Sequence, residues 1–159
     1  MSKTDTNDEI NKKIEEAQKI LKEAKELSKK YEKLVIDIER NISKKADILS
    51  KIPKLVFPYQ RMVRELYIAY DDLSIMMEEE IRNQTIAFKL KRHQLSGLTL
   101  SATEQKSLIE KSTNISSIKR LMKNIERQAK FFETSISTLR AYPSNISTLV
   151  EYRKLIGGS

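Results

Sequence analysis

The chain has 159 residues, of which 33% are charged and 6% aromatic, and it contains no tryptophan and no cysteine. The absence of cysteine excludes disulfide frameworks, thiolate metal sites and cysteine nucleophiles. Three glycines and three prolines are too few to separate the strands of a large β protein. An all-α fold is therefore expected.

The sequence also bears on where the protein is found. No apolar run approaches the roughly 18 residues that a transmembrane helix requires. The first nine residues are polar and acidic rather than basic and then apolar, as a signal peptide would be. Together with the absence of cysteine, these features predict a soluble intracellular protein with no transmembrane segment.

The most regular pattern lies in the first third of the chain. Apolar residues alternate at spacings of four and three from Ile10 to Leu49, and a second set repeats every seven residues from Ile20 to Ile48. Such a wide stripe is typical of a helix that packs against two neighbours. We expect a helix over about residues 7–51, ended by Pro53, after a loose tail at residues 1–6.

The remaining helices follow from their start and stop signals. Pro58 suits the first turn of a second helix over about residues 58–95, and Gly97 ends it. Ser101 and Glu104 form a capping box that opens a third helix over about residues 102–142. Pro143 closes that helix, and a short fourth helix is predicted over residues 144–156.

Three long helices joined by short connections predict an elongated up-down-up antiparallel three-helix bundle with coiled-coil-like packing. The short C-terminal helix completes a single domain over residues 7–156. In this topology one acidic block is matched by basic residues of both neighbouring helices. The block is Glu78, Glu79 and Glu80, and its predicted partners are Lys29, Lys30 and Lys33 on one side and Lys119 and Arg120 on the other.

The residues that enzymes use are scarce. The single histidine, His93, lies among lysines and an arginine with no carboxylate nearby in sequence, which favours a solvated residue at the end of a helix over a catalytic base. No glycine-rich phosphate loop is present. We therefore predict a non-enzymatic protein, with no catalytic, cofactor-binding or metal-binding residues.

The leading functional prediction is a structural or adaptor protein that assembles with itself or with another protein through helix packing. The first helix is expected to project beyond its neighbours, which would leave Ile10 and Ile14 exposed to a partner, with Leu21 next along the stripe. Leu149 and Tyr152 on the apolar face of the last helix are further candidate contacts.

The alternative is a nucleic-acid-associated protein of the packaging or coat type. The formal net charge is +8, and residues 98–159 carry 10 basic and 5 acidic residues. Five cations recur at spacings of one, three and four in the third helix, and such a file could follow phosphates: Lys119, Arg120, Lys123, Arg127 and Lys130. A solvated helix face explains the same pattern. The salt sensitivity of any complex would distinguish nucleic-acid binding from assembly through helix packing.

Overall fold

The protein is all-helical in every residue range that the computed structural model describes. The backbone is described for residues 3–40, 45–94 and 101–156, and the side chains for residues 8–36, 49–90, 101–145, 147, 148 and 151. Four helices occupy these ranges: α1 (Lys3–Arg40), α2 (Lys45–Gln94), α3 (Ala102–Glu110) and α4 (Thr113–Ile156). The all-α prediction is confirmed.

The boundary between the first two helices differs from the prediction. α1 begins at Lys3, within the predicted loose tail, and ends at Arg40, eleven residues before the predicted end at residue 51. α2 begins at Lys45 and continues through Pro53 and Pro58. An interior proline costs about 3 kcal/mol because it removes one backbone hydrogen bond and crowds the preceding turn. Burial of hydrophobic residues on both sides of each proline offsets this cost.

The predicted third and fourth helices are also divided differently. The capping box is confirmed, since the Glu104 amide donates to Ser101 Oγ at 3.2 Å and the Ser101 amide donates to Glu104 Oε2 at 2.8 Å. These hydrogen bonds lower the pKa of the Glu104 carboxyl. The helix then breaks at Lys111 and Ser112, where the Ser112 amide donates to the Ile109 carbonyl at 3.1 Å and the Ser116 hydroxyl donates to the Glu110 carbonyl at 3.5 Å. α4 runs without interruption through Pro143, so the separate short fourth helix is wrong.

Contacts within the chain divide it into two compact units, and the single-domain prediction stays a prediction. Unit 1 comprises Met1–Ile20 and Tyr67–Glu126. Its core contains buried residues of all four helices: Ile10, Ala17, Ala69, Leu73, Met76, Ile109, Ile115, Ile118, Leu121, Met122 and Ile125. A hydrogen bond from Gln84 Nε2 to Ser112 Oγ at 3.3 Å joins α2 to the segment between α3 and α4.

Unit 2 comprises Leu21–Leu66 and Arg127–Ser159. An aromatic cluster joins its three helices. The rings of Tyr59 in α2 and Phe132 in α4 are both fully buried, and their centroids lie 4.8 Å apart in an edge-to-face arrangement. Tyr31 of α1 contacts Tyr59 at 6.2 Å and Phe131 at 5.8 Å between ring centroids. The Tyr59 hydroxyl donates to the Leu27 carbonyl at 3.2 Å.

The predicted matching of charges is not found. Lys29, Lys30 and Lys33 belong to unit 2, whereas the glutamates at positions 78–80 belong to unit 1. The prediction placed the first connection at residues 52–58, whereas α1 and α2 are separated by residues 41–44. Among the described side chains, no ion pair joins Lys119 or Arg120 to these glutamates.

Candidate protein-binding surface

Two of the three predicted contact residues of α1 are buried. Ile10 and Leu21 are buried, with 6% and 8% of their surfaces exposed, and Ile14 is half-buried. Ile10 packs in unit 1 because α2 extends far enough to cover the first turns of α1. The predicted contacts Leu149 and Tyr152 lie in α4, but their side chains are outside those that the structure describes.

A different apolar surface lies on the outer face of α2 in unit 1. Four large aliphatic side chains, which we name the outer α2 stripe, are 49–61% exposed: Ile68, Ile75, Ile86 and Leu90. At about 100° per residue, the three isoleucines fall within about 20° of one another around the helix axis, and the leucine lies about 40° further. Ala69 and Leu73, which lie about 120–160° around the helix from Ile75, are buried. α2 therefore has two apolar faces in this unit, and only one of them is covered.

A cleft of about 210 Å³ borders the stripe between α1 and α2. Ile75 belongs to both the stripe and the cleft, where it lies with Ile10 and Met76. The Lys13 ammonium donates to Asp72 Oδ2 at 2.9 Å across the cleft. This hydrogen bond and the charge of the carboxylate raise the pKa of Lys13. The remaining lining residues are polar: Glu9, Glu79, Glu80 and Asn83.

Charged residues border the other side of the stripe. Asp71, Glu78, Arg82 and Lys89 are all exposed, and they lie about 20–60° around the helix from Ile75, away from the cleft. Within the described part of the chain, none of the four forms an ion pair. Glu78 and Arg82 are four residues apart, a spacing at which opposite charges can pair along a helix, yet no ion pair joins them. Their side chains are therefore available to another molecule.

The cations predicted to bind phosphates are all exposed on α4. Lys119, Arg120, Lys123, Arg127 and Lys130 fall within about 100° around the helix axis, and no acidic residue lies in the same sector. Lys130 takes part in an interaction within the chain. The other four form no ion pair among the described residues. The structure thus brings the predicted cations together on one face of one helix.

No group of three or more histidine, aspartate or glutamate side chains that could hold a metal ion occurs among the described residues. None of the described helices combines the length and the hydrophobicity that a membrane span requires. No protein-family model, curated protein or solved structure matches the chain.

The outer α2 stripe was missed in the sequence because a more regular pattern lies beside it. Apolar residues repeat at spacings of three and four along α2, beginning with Tyr59, Val63 and Leu66. This spacing predicts the inner face of the helix, and the structure buries or half-buries those residues. The stripe itself has spacings of seven, eleven and four residues, which also return to one face of a helix. A search for a second apolar face on α2 would have found it.

Proposed function

We propose that this protein is a non-enzymatic structural or adaptor protein that assembles with protein partners through coiled-coil-like helix packing. The observation that carries the proposal is the outer α2 stripe, in which four large aliphatic side chains share one face of one helix and are about half exposed or more. An apolar face that stays exposed along a helix is typical of interaction sites on soluble proteins. Apolar residues repeating along one helical face are the anchors with which helices recognise one another.

The up-down-up arrangement belongs to the same proposal. Lys13 lies 27 residues before the end of α1 at Arg40, and its partner Asp72 lies 27 residues after the start of α2 at Lys45. Equal distances from a four-residue connection support an antiparallel pairing of α1 and α2. We infer that α4 returns alongside both helices, with α3 as a short element before it. Such packing covers the inner face of α2 and leaves its outer face to a partner.

A photo-crosslinking experiment tests this function. A photoreactive phenylalanine derivative replaces Ile75 in the stripe, and the same replacement at Ile36 is the matched control. Ile36 is 45% exposed, close to the 59% of Ile75, but it lies on α1 in unit 2. We expect covalent adducts with a protein chain from position 75 and few from position 36. Equal adduct formation at the two positions, or none at either, would contradict the proposal.

A second candidate function has its own observation. The exposed basic face of α4 supports binding of nucleic-acid phosphates, because its cations share one sector of the helix without an intervening acid. Cations aligned in this way displace the counterions of a nucleic acid. Exposed aromatic side chains are not part of this face, since Phe132 is fully buried in unit 2 and Phe131 is half-buried against Tyr31. The basic face therefore suits contacts with the phosphate backbone rather than stacking on bases.

Fluorescence anisotropy with duplex and single-stranded probes tests this second function between about 50 and 300 mM salt. Replacing Lys119, Arg120, Lys123 and Arg127 by glutamine should weaken binding and flatten its salt dependence. Replacing Lys12, Lys19, Lys22 and Lys25, four exposed lysines of α1, is the control for the same loss of charge. Absence of binding at about 50 mM salt, or equal losses in both variants, would exclude a specific role for the α4 face.

A further inference from the structure

The outer α2 stripe has a charge pattern that is complementary to itself. The acidic residues Asp71 and Glu78 precede the basic residues Arg82 and Lys89 on the same side of the stripe. In an antiparallel pair of identical helices related by a two-fold axis, residues on one side of the contact face the same side of the other copy. The acidic half of that side then meets the basic half of the second copy.

One register brings two of the four stripe residues and all four charged residues to complementary positions of the second copy. If the two-fold axis passes between Glu80 and Ile81, Ile75 lies opposite Ile86 of the second copy, since the two positions are equally distant from the axis. In the same register Glu78 approaches Arg82 of the second copy and Asp71 approaches its Lys89. Each pairing occurs twice because of the symmetry, which gives two isoleucine contacts and four ion pairs. The four charges are exposed and have no ion-pair partner among the described residues.

We propose that the partner of the outer α2 stripe is a second copy of this chain, bound through antiparallel α2–α2 packing in this register. The inference rests on the proposed function and names its partner. Every residue in the contact belongs to unit 1. The contact spans about 30 Å of helix between Asp71 and Leu90. We expect such a contact to bury less than the roughly 800 Å² per partner of a typical stable interface, and we therefore expect a dissociation constant of about 10–100 µM.

Mixed disulfide formation tests the register directly, because the chain has no native cysteine. Ile75→Cys and Ile86→Cys chains are oxidised separately and as an equimolar mixture. Position 75 lies opposite position 86 of the second copy, whereas two copies of position 75 are about 16 Å apart along the helix. A disulfide requires Cα atoms within about 7 Å. We therefore expect a covalent dimer that joins one Ile75→Cys chain to one Ile86→Cys chain in the mixture, and little covalent dimer of either variant alone.

Charge reversal tests the ion pairs in solution by sedimentation equilibrium. Glu78→Arg and Arg82→Glu each place like charges opposite one another twice, so each should raise the dissociation constant about 10-fold or more. The double variant Glu78→Arg/Arg82→Glu restores opposite charges across the two-fold axis. Its dissociation constant should return to within about threefold of the wild-type value. Failure of the double variant to recover would show that these two residues do not meet across the interface.

The outcomes separate this inference from the proposed function. A wild-type dimer that gives no mixed disulfide between positions 75 and 86 overturns the register, while assembly by this protein stands. A wild-type chain that stays monomeric up to about 200 µM overturns self-pairing altogether, since that concentration exceeds the expected dissociation constant. In that case adducts with a different protein, formed from position 75 in the crosslinking experiment, would still support an adaptor.

Discussion

Replacement of Tyr59 by phenylalanine tests the aromatic cluster of unit 2. The Tyr59 ring is fully buried, and its hydroxyl donates to the Leu27 carbonyl at 3.2 Å. Phenylalanine keeps the ring and its edge-to-face contact with Phe132 and removes only this hydrogen bond. The Leu27 carbonyl lies within α1 and still accepts a bond from the Tyr31 amide one turn later, so it is not left without a donor. The loss in unfolding free energy should be about 1 kcal/mol at pH 7.

The same substitution has a pH dependence of known sign. Burial raises the pKa of the Tyr59 phenol above its ordinary value. Below about pH 10 the phenol is protonated in both the folded and the unfolded state, so pH has no effect through this group. Above about pH 10 the unfolded state releases the proton and the folded state retains it. The stability of the wild-type chain therefore falls by up to about 1.4 kcal/mol per pH unit through this residue, while Tyr59→Phe escapes that loss.

Urea denaturation followed by circular dichroism, at several pH values between about 7 and 11, measures both effects. Titration of every other group is common to the two chains and cancels in the difference between them. We expect the wild-type chain to be more stable by about 1 kcal/mol at pH 7 and the variant to equal or exceed it near pH 11. A difference that stays constant over this range would refute the burial of the Tyr59 hydroxyl.

Three further predictions concern the helices and unit 1. Pro58→Ala should raise the unfolding free energy by about 2 kcal/mol in urea denaturation, because the helix continues through this position; a loss would indicate that the proline begins a helix. Leu73→Ala, at a residue only 1% exposed, should lower the free energy of unfolding by about 2–5 kcal/mol, whereas Ile75→Ala should change it by less than about 0.5 kcal/mol. Equal losses would mean that both faces of α2 are covered. Lys13→Ala should lower the free energy of unfolding by at most about 1 kcal/mol, and by less in high salt, because the ion pair of Lys13 with Asp72 is partly solvated. A larger loss would indicate an ion pair that is shielded from water.

The sequence predicted the inner faces of the helices well. Apolar spacing in the third predicted helix marks Leu108 and residues from Ile115 to Leu139 as core. The structure buries the residues from Ile115 to Leu139 and leaves Leu108 49% exposed. The capping box of Ser101 and Glu104 was equally readable, because the signal and its hydrogen bonds lie within one turn. Patterns of this kind are local, and one helix is enough to express them.

The helix boundaries were less predictable because they depend on tertiary packing. Pro53 and Pro58 are strong local stop signals, yet the buried residues Ile52 and Tyr59 favour a continuous helix. The prediction separated the first two helices at residues 52–58, whereas α1 ends at Arg40 and α2 begins at Lys45. Different residues of α1 and α2 therefore meet. The charge matching that was predicted for Lys29 therefore failed, and Lys13 pairs with α2 instead.

The expected exposure of Ile10 was wrong for a related reason. Ile10 was expected to be exposed because α1 was expected to extend past its neighbours, but α2 in the structure is 50 residues long and covers it. The sequence offers two apolar faces on α2, and periodicity alone does not say which of them packs inward. Only the placement of α1 and α4 leaves Ile75 and Ile86 exposed.

Sedimentation equilibrium would compare the dissociation constant of the wild-type dimer with that of the double variant Ile75→Asp/Ile86→Asp. This comparison tests directly whether the outer α2 stripe mediates self-association. We expect reversible dimerisation of the wild-type chain at tens of micromolar. The variant should be monomeric with unchanged helix content, because both substituted side chains are about half exposed or more. Ile36→Asp, the same change at an exposed isoleucine of unit 2, should associate like the wild-type chain. An Ile75→Asp/Ile86→Asp variant that associates as strongly as the wild-type chain would contradict the claim that α2 carries the binding surface.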